Sequence, residues 1–286
     1  MKTMETPKRI NRRRPFQMIC PGFFSIKGLL VLLVAAGGLP CGAWGGEVVY
    51  RVGFEETEDF SGGYAMGSLA GQGGNPPEVM PWIQPVNEEC SGAEIVGESG
   101  GNQILPPQGK QMLQIQYDTG NPQVYQNFLP EAKAIKQDFK VTFLLAVDAS
   151  VSNGTFSFGI QSSSGLNSGA WLGIRRVSKE ENSFGFFHRK ADSDGKAAWE
   201  RIEDAVFEPH QFYKVELQID YWNQAFGGRV TSADGGEVLN FSDLPLLDLD
   251  GHMSSGRGFN RIYVGADQIG TRPFFLVDDI TVELVP

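Results

Sequence analysis

The amino-acid sequence predicts an all-β fold, an antiparallel jelly-roll β-sandwich of two packed sheets. Helical periodicity is nearly absent, whereas apolar and polar residues alternate through more than a dozen short segments. Turn signals separate these segments, clearest at residues 192–195 and 234–236, where glycine permits the positive φ of a tight turn. No crossover helices connect the segments, so the strands are expected to pair antiparallel.

The first 45 residues are expected to be a signal peptide that is removed on export. A basic stretch precedes an apolar run from Gly28 to Ala36, and Ala43 and Gly45 are the small residues that signal peptidase requires. The run is shorter than the roughly 20 apolar residues that span a bilayer. The protein is therefore predicted to be secreted, to the cell surface, the periplasm or the medium, without membrane insertion.

The mature chain, residues 46–286, is predicted to form a single β-sandwich domain. Export removes seven of 24 basic and one of 34 acidic residues, which leaves 17 against 33 and a net charge of about −16. Such a chain repels phosphate backbones, so nucleic acid is not an expected partner, and acidic polysaccharides are disfavoured except at a local basic patch. Only Cys90 remains, so no internal disulfide can form, and a large core must stabilise a chain that we expect to be monomeric.

The predicted strands follow in order along the mature chain. One region departs from the alternation: residues 61–110 are rich in Gly and Pro and should be mostly loop, either functional or poorly ordered, with Tyr64, Trp82 and Ile83 available to dock. Residues 130–137 allow a helical turn or two. Alternating apolar residues place strands at 47–54, 111–118, 122–129, 142–147, 154–161, 169–176, 183–190, 196–206, 212–222, 227–233, 236–241, 260–266 and 274–284.

The last strand contains a carboxylate among apolar residues. Asp278 shares its strand parity with Leu276, Ile280 and Val282, so it is expected to face the core unless a bulge intervenes. The free-energy cost of burying a charged carboxylate without a partner is prohibitive. The sequence therefore predicts a cation, an arginine or several hydrogen bonds beside Asp278. Arg51 and Arg272 are the candidate arginines, and a metal ion is the alternative.

A polar face with exposed aromatic residues indicates a binding surface for sugars, whose rings stack on aromatics and whose hydroxyls bond to carboxylates and amides. The strand from Phe212 to Trp222 alternates core residues with polar ones, and the strand at 169–176 carries two further candidates. We expect one polar, concave sheet to bring these residues together. The candidate glycan-binding residues are Trp171, Arg175, Glu216, Gln218, Asp220 and Trp222.

Catalytic motifs are largely absent. The three histidines are scattered without an HExxH pattern, and there is no GxSxG elbow or P-loop. Glu216 and Asp220 are four residues apart on one strand, roughly 13 Å at Cα, whereas retaining glycosidases hold their carboxyls about 5 Å apart. A partner carboxylate from another strand, such as Asp148 or Asp267, remains open, so enzyme activity is the alternative rather than the leading hypothesis.

Several segments resemble the concanavalin A-like lectin and glucanase superfamily. They are Phe54 and Glu55, Tyr64 with Gly71 and Gly73, the region 213–236, and the closing strand 275–282, which looks like the last strand of jelly-roll carbohydrate-binding modules. The resemblance implies that the first and last strands pair. It also implies a structural Ca²⁺ near an early acidic residue and the aspartate of the last strand, here Glu55, Asp278 and Asp279. The superfamily's ExDxxE hydrolase motif is missing.

Together these observations predict an exported, lectin-like protein that binds a polysaccharide or glycan without cleaving it. A glycan-cleaving hydrolase or lyase of the same fold is the first alternative, and a structural or adhesive surface protein is the second.

Overall fold

The computed structural model confirms the all-β sandwich. It describes residues 46–60, 62–75, 78–84, 92–97, 104–116, 122–148, 154–165, 167–178, 183–267 and 274–286. The predicted signal peptide, Cys90 and Arg272 lie outside these residues. The helical turn predicted at 130–137 is a 3-10 turn at Glu131–Lys133. Within the described ranges, no helix has the length and apolar character needed to cross a bilayer.

The strands lie close to the predicted segments. In chain order they are β1 (Val48–Val52), β2 (Gly67–Ser68), β3 (Ala93–Val96), β4 (Met112–Gln116), β5 (Gln123–Asn127), β6 (Phe139–Val147), β7 (Thr155–Gln161), β8 (Ser168–Ser178), β9 (Ser183–Ala191), β10 (Ala197–Phe207), β11 (Tyr213–Asp220), β12 (Ala225–Ser232), β13 (Glu237–Pro245), β14 (Leu247–Asp248), β15 (Arg261–Asp267) and β16 (Phe274–Leu284).

These strands form two antiparallel sheets. The nine-stranded sheet has the order β13-β12-β11-β6-β16-β4-β3-β2, and β1 also pairs with β16. The seven-stranded sheet has the order β10-β9-β8-β7-β15-β5, and β14 pairs with β8. Consecutive strands β6 and β7 belong to different sheets. Pairing of the first and last strands, which the family resemblance implied, is confirmed by the β1–β16 ladder.

The core fills the space between the sheets. Phe143 of β6 stacks on Phe158 of β7 with ring centroids 3.9 Å apart, and neither ring is exposed to solvent. Phe139 and Phe259 form a further edge-to-face pair at 5.1 Å. The alternation in the sequence matches the burial pattern of strands such as β5 and β11, because every second side chain points to the opposite sheet.

The Gly/Pro-rich region contributes to the core, although most of its described part is irregular. Trp82 is 1% exposed and donates a hydrogen bond from Nε1 to the Tyr64 hydroxyl at 3.0 Å. Phe54 packs against both rings. Ile83 pairs with Tyr125 through an isolated β-bridge. Two of the three docking residues are thus buried, and Ile83 is 37% exposed.

A β-bulge in β16 overturns the expectation that Asp278 faces the core. The register with β6 shifts between Asp278 and Thr281, and Asp279 adopts a positive φ of 47°. Before the bulge the odd residues Phe275 and Val277 face the main core; after it the even residue Ile280 does. Leu276 instead belongs to a separate small cluster on the outer side of the sheet. Asp278 shares that side, so it is buried outside the main core.

We expect Phe158→Ala to lower the free energy of unfolding by about 3–5 kcal/mol, because it removes a ring stacked between the two sheets and leaves a cavity. Chemical denaturation measures this change. Trp222→Ala is the control: its indole is 74% exposed, so its effect should stay within about 0.5 kcal/mol. Equal effects of the two substitutions would contradict this description of the core.

Candidate functional site

A polar groove lies on the outer face of the nine-stranded sheet. It encloses about 580 Å³ and crosses β6, β11, β12 and β13. Gly227 and Gly228 form part of its floor, and a side chain at Gly228 would collide with the ring of Phe241 and the backbone of Glu216. Its polar lining residues, which we call the polar groove, are Lys140, Glu216, Gln218, Asp220, Arg229, Asn240, Ser242 and Asp243.

Three of the predicted glycan-binding residues, Glu216, Gln218 and Asp220, lie together in this groove. They are neighbours on the outward side of β11, whose inward side carries the core residues Val215, Leu217 and Ile219. Sequence alternation was sufficient to find them. The cationic residues Lys140 and Arg229 from the flanking strands were not predicted, because their register with β11 depends on tertiary pairing.

The two carboxylates of the groove are stabilised in their ionised form. Burial raises the pKa of Glu216, but hydrogen bonds from Arg229 and Lys214 outweigh it, so the pKa lies below its ordinary value. The side-chain amide of Asn223 donates a hydrogen bond to Oδ2 of Asp220 at 2.7 Å, and this bond holds the pKa of Asp220 below its ordinary value. A general acid needs a raised pKa, so neither carboxylate suits that role.

Trp222 stands in the turn after β11, two residues beyond Asp220. Its indole is 74% exposed and packs edge-on against Tyr221, with centroids 5.2 Å apart. An exposed indole of this kind offers the apolar CH face of a sugar ring a surface to stack on.

The other two predicted binding residues are not on this face. Trp171 and Arg175 belong to β8 of the seven-stranded sheet, so the expectation of one shared binding sheet is wrong. Trp171 is also only 3% exposed: it lies over Gly159 of β7, beside Tyr263 and beneath the Arg189 guanidinium. Strand parity reports which side of its own sheet a residue occupies, but not which of two sheets contains the strand.

The predicted metal residues surround a second, smaller pocket of about 250 Å³. Asp278 is fully buried there; its Oδ1 accepts a hydrogen bond from the Asp279 amide, and its Oδ2 has no bonded partner. Glu55 Oε1 accepts bonds from the amides of Lys110 and Gln111. Asp279 pairs with Arg51 at 3.0 Å, so this candidate arginine engages the neighbouring aspartate rather than Asp278.

Burial raises the pKa of Asp278 to about 8. The negative charges of Asp279 and Glu55 raise it further, while the amides of Asp279 and Gln108 oppose the increase. The groups that lower it are thus backbone amides rather than the side chain of a lysine or an arginine. Asp278 therefore holds a proton at neutral pH unless a cation enters the pocket.

The pocket suits a cation only in part. In the described ranges, no group of three or more His, Cys, Asp or Glu side chains is arranged to hold a metal ion. Ca²⁺, however, takes six to eight oxygen ligands, and backbone carbonyls and waters supply many of them. The unpartnered Oδ2 of Asp278 beside Glu55 fits that donor chemistry, although Asp279 is already engaged by Arg51.

One pair of titratable residues was missed by the sequence reasoning. His188 of β9 lies directly opposite Glu200 of β10, with Nε2 3.1 Å from Oε2, and both line a cleft of about 550 Å³ beside β13. Burial lowers the pKa of His188, so its neutral form is favoured. Each of the two residues lies six positions from Asp194, the centre of the hairpin, so the hairpin register could have revealed them.

Comparisons with known proteins give no family. No family model and no curated protein matches the chain. Solved structures with partial likeness include a sialidase (14% identity, 71% of this chain and 17% of that one, TM-score 0.43). A glycoside hydrolase engineered for endo-xylanase and exo-arabinofuranosidase activity shows 11% identity over 72% of this chain and 38% of that one, at TM-score 0.45.

A third likeness is to the CBM2 module of the evolved Dit protein of Lactobacillus casei BL23 phage J-1, at 9% identity over 85% of this chain and 97% of that one, with TM-score 0.41. The chain therefore spans well under half of the first two proteins. Because their TM-scores are below 0.5, these likenesses carry no argument about function. The functional argument rests on the geometry described above. Membership of the concanavalin A-like superfamily stays a prediction.

In the absence of added metal, the stability of the protein should fall as the pH rises from about 4 to about 8. The pKa of Asp278 is near 8 in the folded state and 3.8 ordinarily, so between these values the folded protein holds a proton that the unfolded chain has lost. Each pH unit in this window removes up to about 1.4 kcal/mol. Asp278→Asn, which is permanently neutral, should remove this slope and raise stability at pH 8.

Denaturant titrations of the metal-free protein from pH 4 to pH 9 measure this slope. Asp194→Asn is the matched control, because Asp194 is an exposed carboxylate in the turn at 192–195. A slope that survives Asp278→Asn would contradict the assignment of the proton to Asp278.

Proposed function

We propose that this chain is an exported glycan-binding protein that binds its ligand in the polar groove and does not cleave it. The observation that carries the proposal is a groove lined by charged and amide side chains, together with the exposed indole of Trp222, which lies two residues along the chain from the lining residue Asp220. An apolar platform next to convergent polar groups is the combination that a pyranose ring requires, since it has both apolar CH faces and hydroxyls.

The hydrogen-bonding groups of the groove are already held in position. Arg229 bonds to Glu216 through both Nε and Nη2, and Lys214 bonds to the other oxygen of that carboxylate at 3.1 Å. Such ion pairs fix the lining in one geometry, which lowers the entropic cost of binding. The lowered pKa values of Glu216 and Asp220 support binding rather than acid catalysis.

We further propose that the second pocket takes a structural Ca²⁺ through Asp278 and Glu55, with backbone carbonyl and water oxygens as the remaining ligands. Support comes from the buried, unpartnered Oδ2 of Asp278 and from the repulsion among the carboxylates that surround it. A cation there would connect the bulge of β16 to the segment after β1 and to the loop at 104–111. Its contribution would be to stability, since the pocket lies apart from the polar groove.

Trp222→Ala should weaken the binding of a neutral glycan at least about tenfold, a loss of about 1.4 kcal/mol, because it removes the stacking surface. A glycan array identifies the ligand, and calorimetry on the best glycan measures the change. Met66→Ala removes another exposed apolar side chain away from the groove and should have no effect. If neither the wild type nor Trp222→Ala binds any glycan on the array, the proposed function is wrong.

Addition of Ca²⁺ to the chelator-treated protein should raise its melting temperature, as expected for a ligand that binds only the folded state. Asp278→Asn should abolish that increase because the variant loses the charged oxygen. Mg²⁺ at the same concentration should have a smaller effect, since it loses its waters reluctantly. An unchanged melting temperature on adding Ca²⁺ would exclude the site.

A further inference from the structure

The outward side of the seven-stranded sheet has a chemistry opposite to that of the chain as a whole. Arg261, Arg189 and Arg175 lie on it together with Tyr125, Trp171 and Trp199, and we call this surface the arginine face. Every one of these arginines stacks on an aromatic ring, at 4.3 Å for Arg261 over Tyr125 and 5.2 Å for Arg189 over Trp171. Arg175 lies 5.7 Å from the ring centroid of Trp199.

The aromatic residues form a row that crosses the sheet. Tyr125 pairs with Tyr263, Tyr263 with Gly159, and Gly159 with Trp171. On the far side of β8, Arg189 of β9 pairs with Trp199 of β10. Six strands at about 4.8 Å spacing make this row roughly 24 Å long. A surface of that length fits an extended oligosaccharide better than a single sugar.

Arg261 is the clearest indication of an anionic ligand. Its side chain is 8% exposed, its Nε donates to Asn127 at 2.8 Å, and no carboxylate of the described chain forms an ion pair with it. Burial lowers its pKa, and Tyr125 alone opposes that effect. Buried charges are ordinarily paired, so a guanidinium held rigid in this way without an acidic partner requires an explanation.

The described outward side chains of β5, β7, β8 and β9 include no carboxylate, and on β10, which contributes Trp199, Asp204 is paired with Arg201 at 3.1 Å. Arg261, Arg189 and Arg175 therefore form a local basic patch on an acidic protein. A patch of this kind attracts anions.

Two buried polar groups on the same side lack hydrogen-bond partners. They are the Nε1 of Trp171 and the side-chain amide of Gln161, which are 3% and 0% exposed. Gln161 lies directly opposite Arg261 in the sheet. Donors and acceptors without partners at this depth cost stability.

We propose that the arginine face binds a uronate-containing polysaccharide, with the guanidiniums of Arg261 and Arg189 bonding to sugar carboxylates. A guanidinium matches a planar carboxylate through two parallel N–H bonds, which favours carboxylates over other anionic groups. That the carboxylates belong to a sugar rests on the proposed glycan-binding function. The surface is on the opposite sheet from the polar groove, so it is a separate site.

Calorimetry with polygalacturonate tests the proposal, with its carboxyl-reduced neutral product as the matched ligand. The wild type should bind the first and not the second, and binding should weaken as salt is added. Arg261→Gln and Arg189→Gln should each lower the affinity at least about tenfold. Arg261→Lys, which keeps the charge but loses the fork, should lose most of the affinity as well.

Arg257→Gln makes the same charge change at an exposed loop position and should leave the affinity unchanged. Melting temperatures establish that each variant is folded. If Arg261→Gln does not fold, Arg189→Gln still tests the proposal. Absence of polygalacturonate binding by the wild type overturns the proposal. Equal binding of dextran sulfate or single-stranded DNA also overturns it, because the face would then select charge rather than carboxylates.

The same titrations separate this site from the polar groove. Trp222→Ala should bind polygalacturonate as tightly as the wild type while losing the neutral glycan. Loss of both ligands in Trp222→Ala would overturn the assignment of the anionic ligand to the seven-stranded sheet. Polygalacturonate binding that depends on Arg261, without any neutral glycan binding, would refute the groove and support the arginine face.

Discussion

The register shift in the final strand controls how the rest of the sandwich closes. β16 lies in the centre of the nine-stranded sheet: β6 pairs along one side, and β4 and then β1 pair along the other. The bulge at Asp278 and Asp279 falls where the partner changes from β4 to β1. Because the side-chain period of a strand is two, one extra residue moves the apolar set from odd to even positions. The core remains continuous only because of this shift.

The bulge also determines the environment of Asp278. Without it, a carboxylate would lie between the sheets among phenylalanines, where no partner could reach it. With it, Asp278 lies on the outer side, beneath the loop at 104–111 and beside Glu55, in a pocket that a proton or a cation can enter. The bulge requires a strained backbone at Asp279, where φ is 47°. In return, the buried carboxylate of Asp278 lies where a proton or a cation can neutralise it.

The two outer faces of the sandwich differ in chemistry because the sequence places different residues on the outward parity of each sheet. The polar groove has charges held in ion pairs, and Trp222, the only large aromatic side chain that is exposed in the described residues, follows its lining residue Asp220 in the chain. The arginine face has flat aromatic rings covered by guanidiniums. Ion pairs neutralise the charges of Glu216 and Arg229 in the polar groove, whereas cation–π stacking positions the guanidiniums of the arginine face without neutralising them.

The sequence by itself determined the all-β class, nearly every strand and the side of its own sheet that each residue occupies, because alternation with period two is a local property of the chain. It also identified Glu216, Gln218 and Asp220 as neighbours on one strand. Through the family resemblance it placed Glu55 near the aspartates of the last strand. Only the tertiary structure decided that Trp171 and Trp222 lie on opposite sheets, that Arg51 pairs with Asp279, and that the parity of β16 reverses at Asp278. Strand order and bulges depend on contacts between residues far apart in the sequence, and no local pattern encodes them.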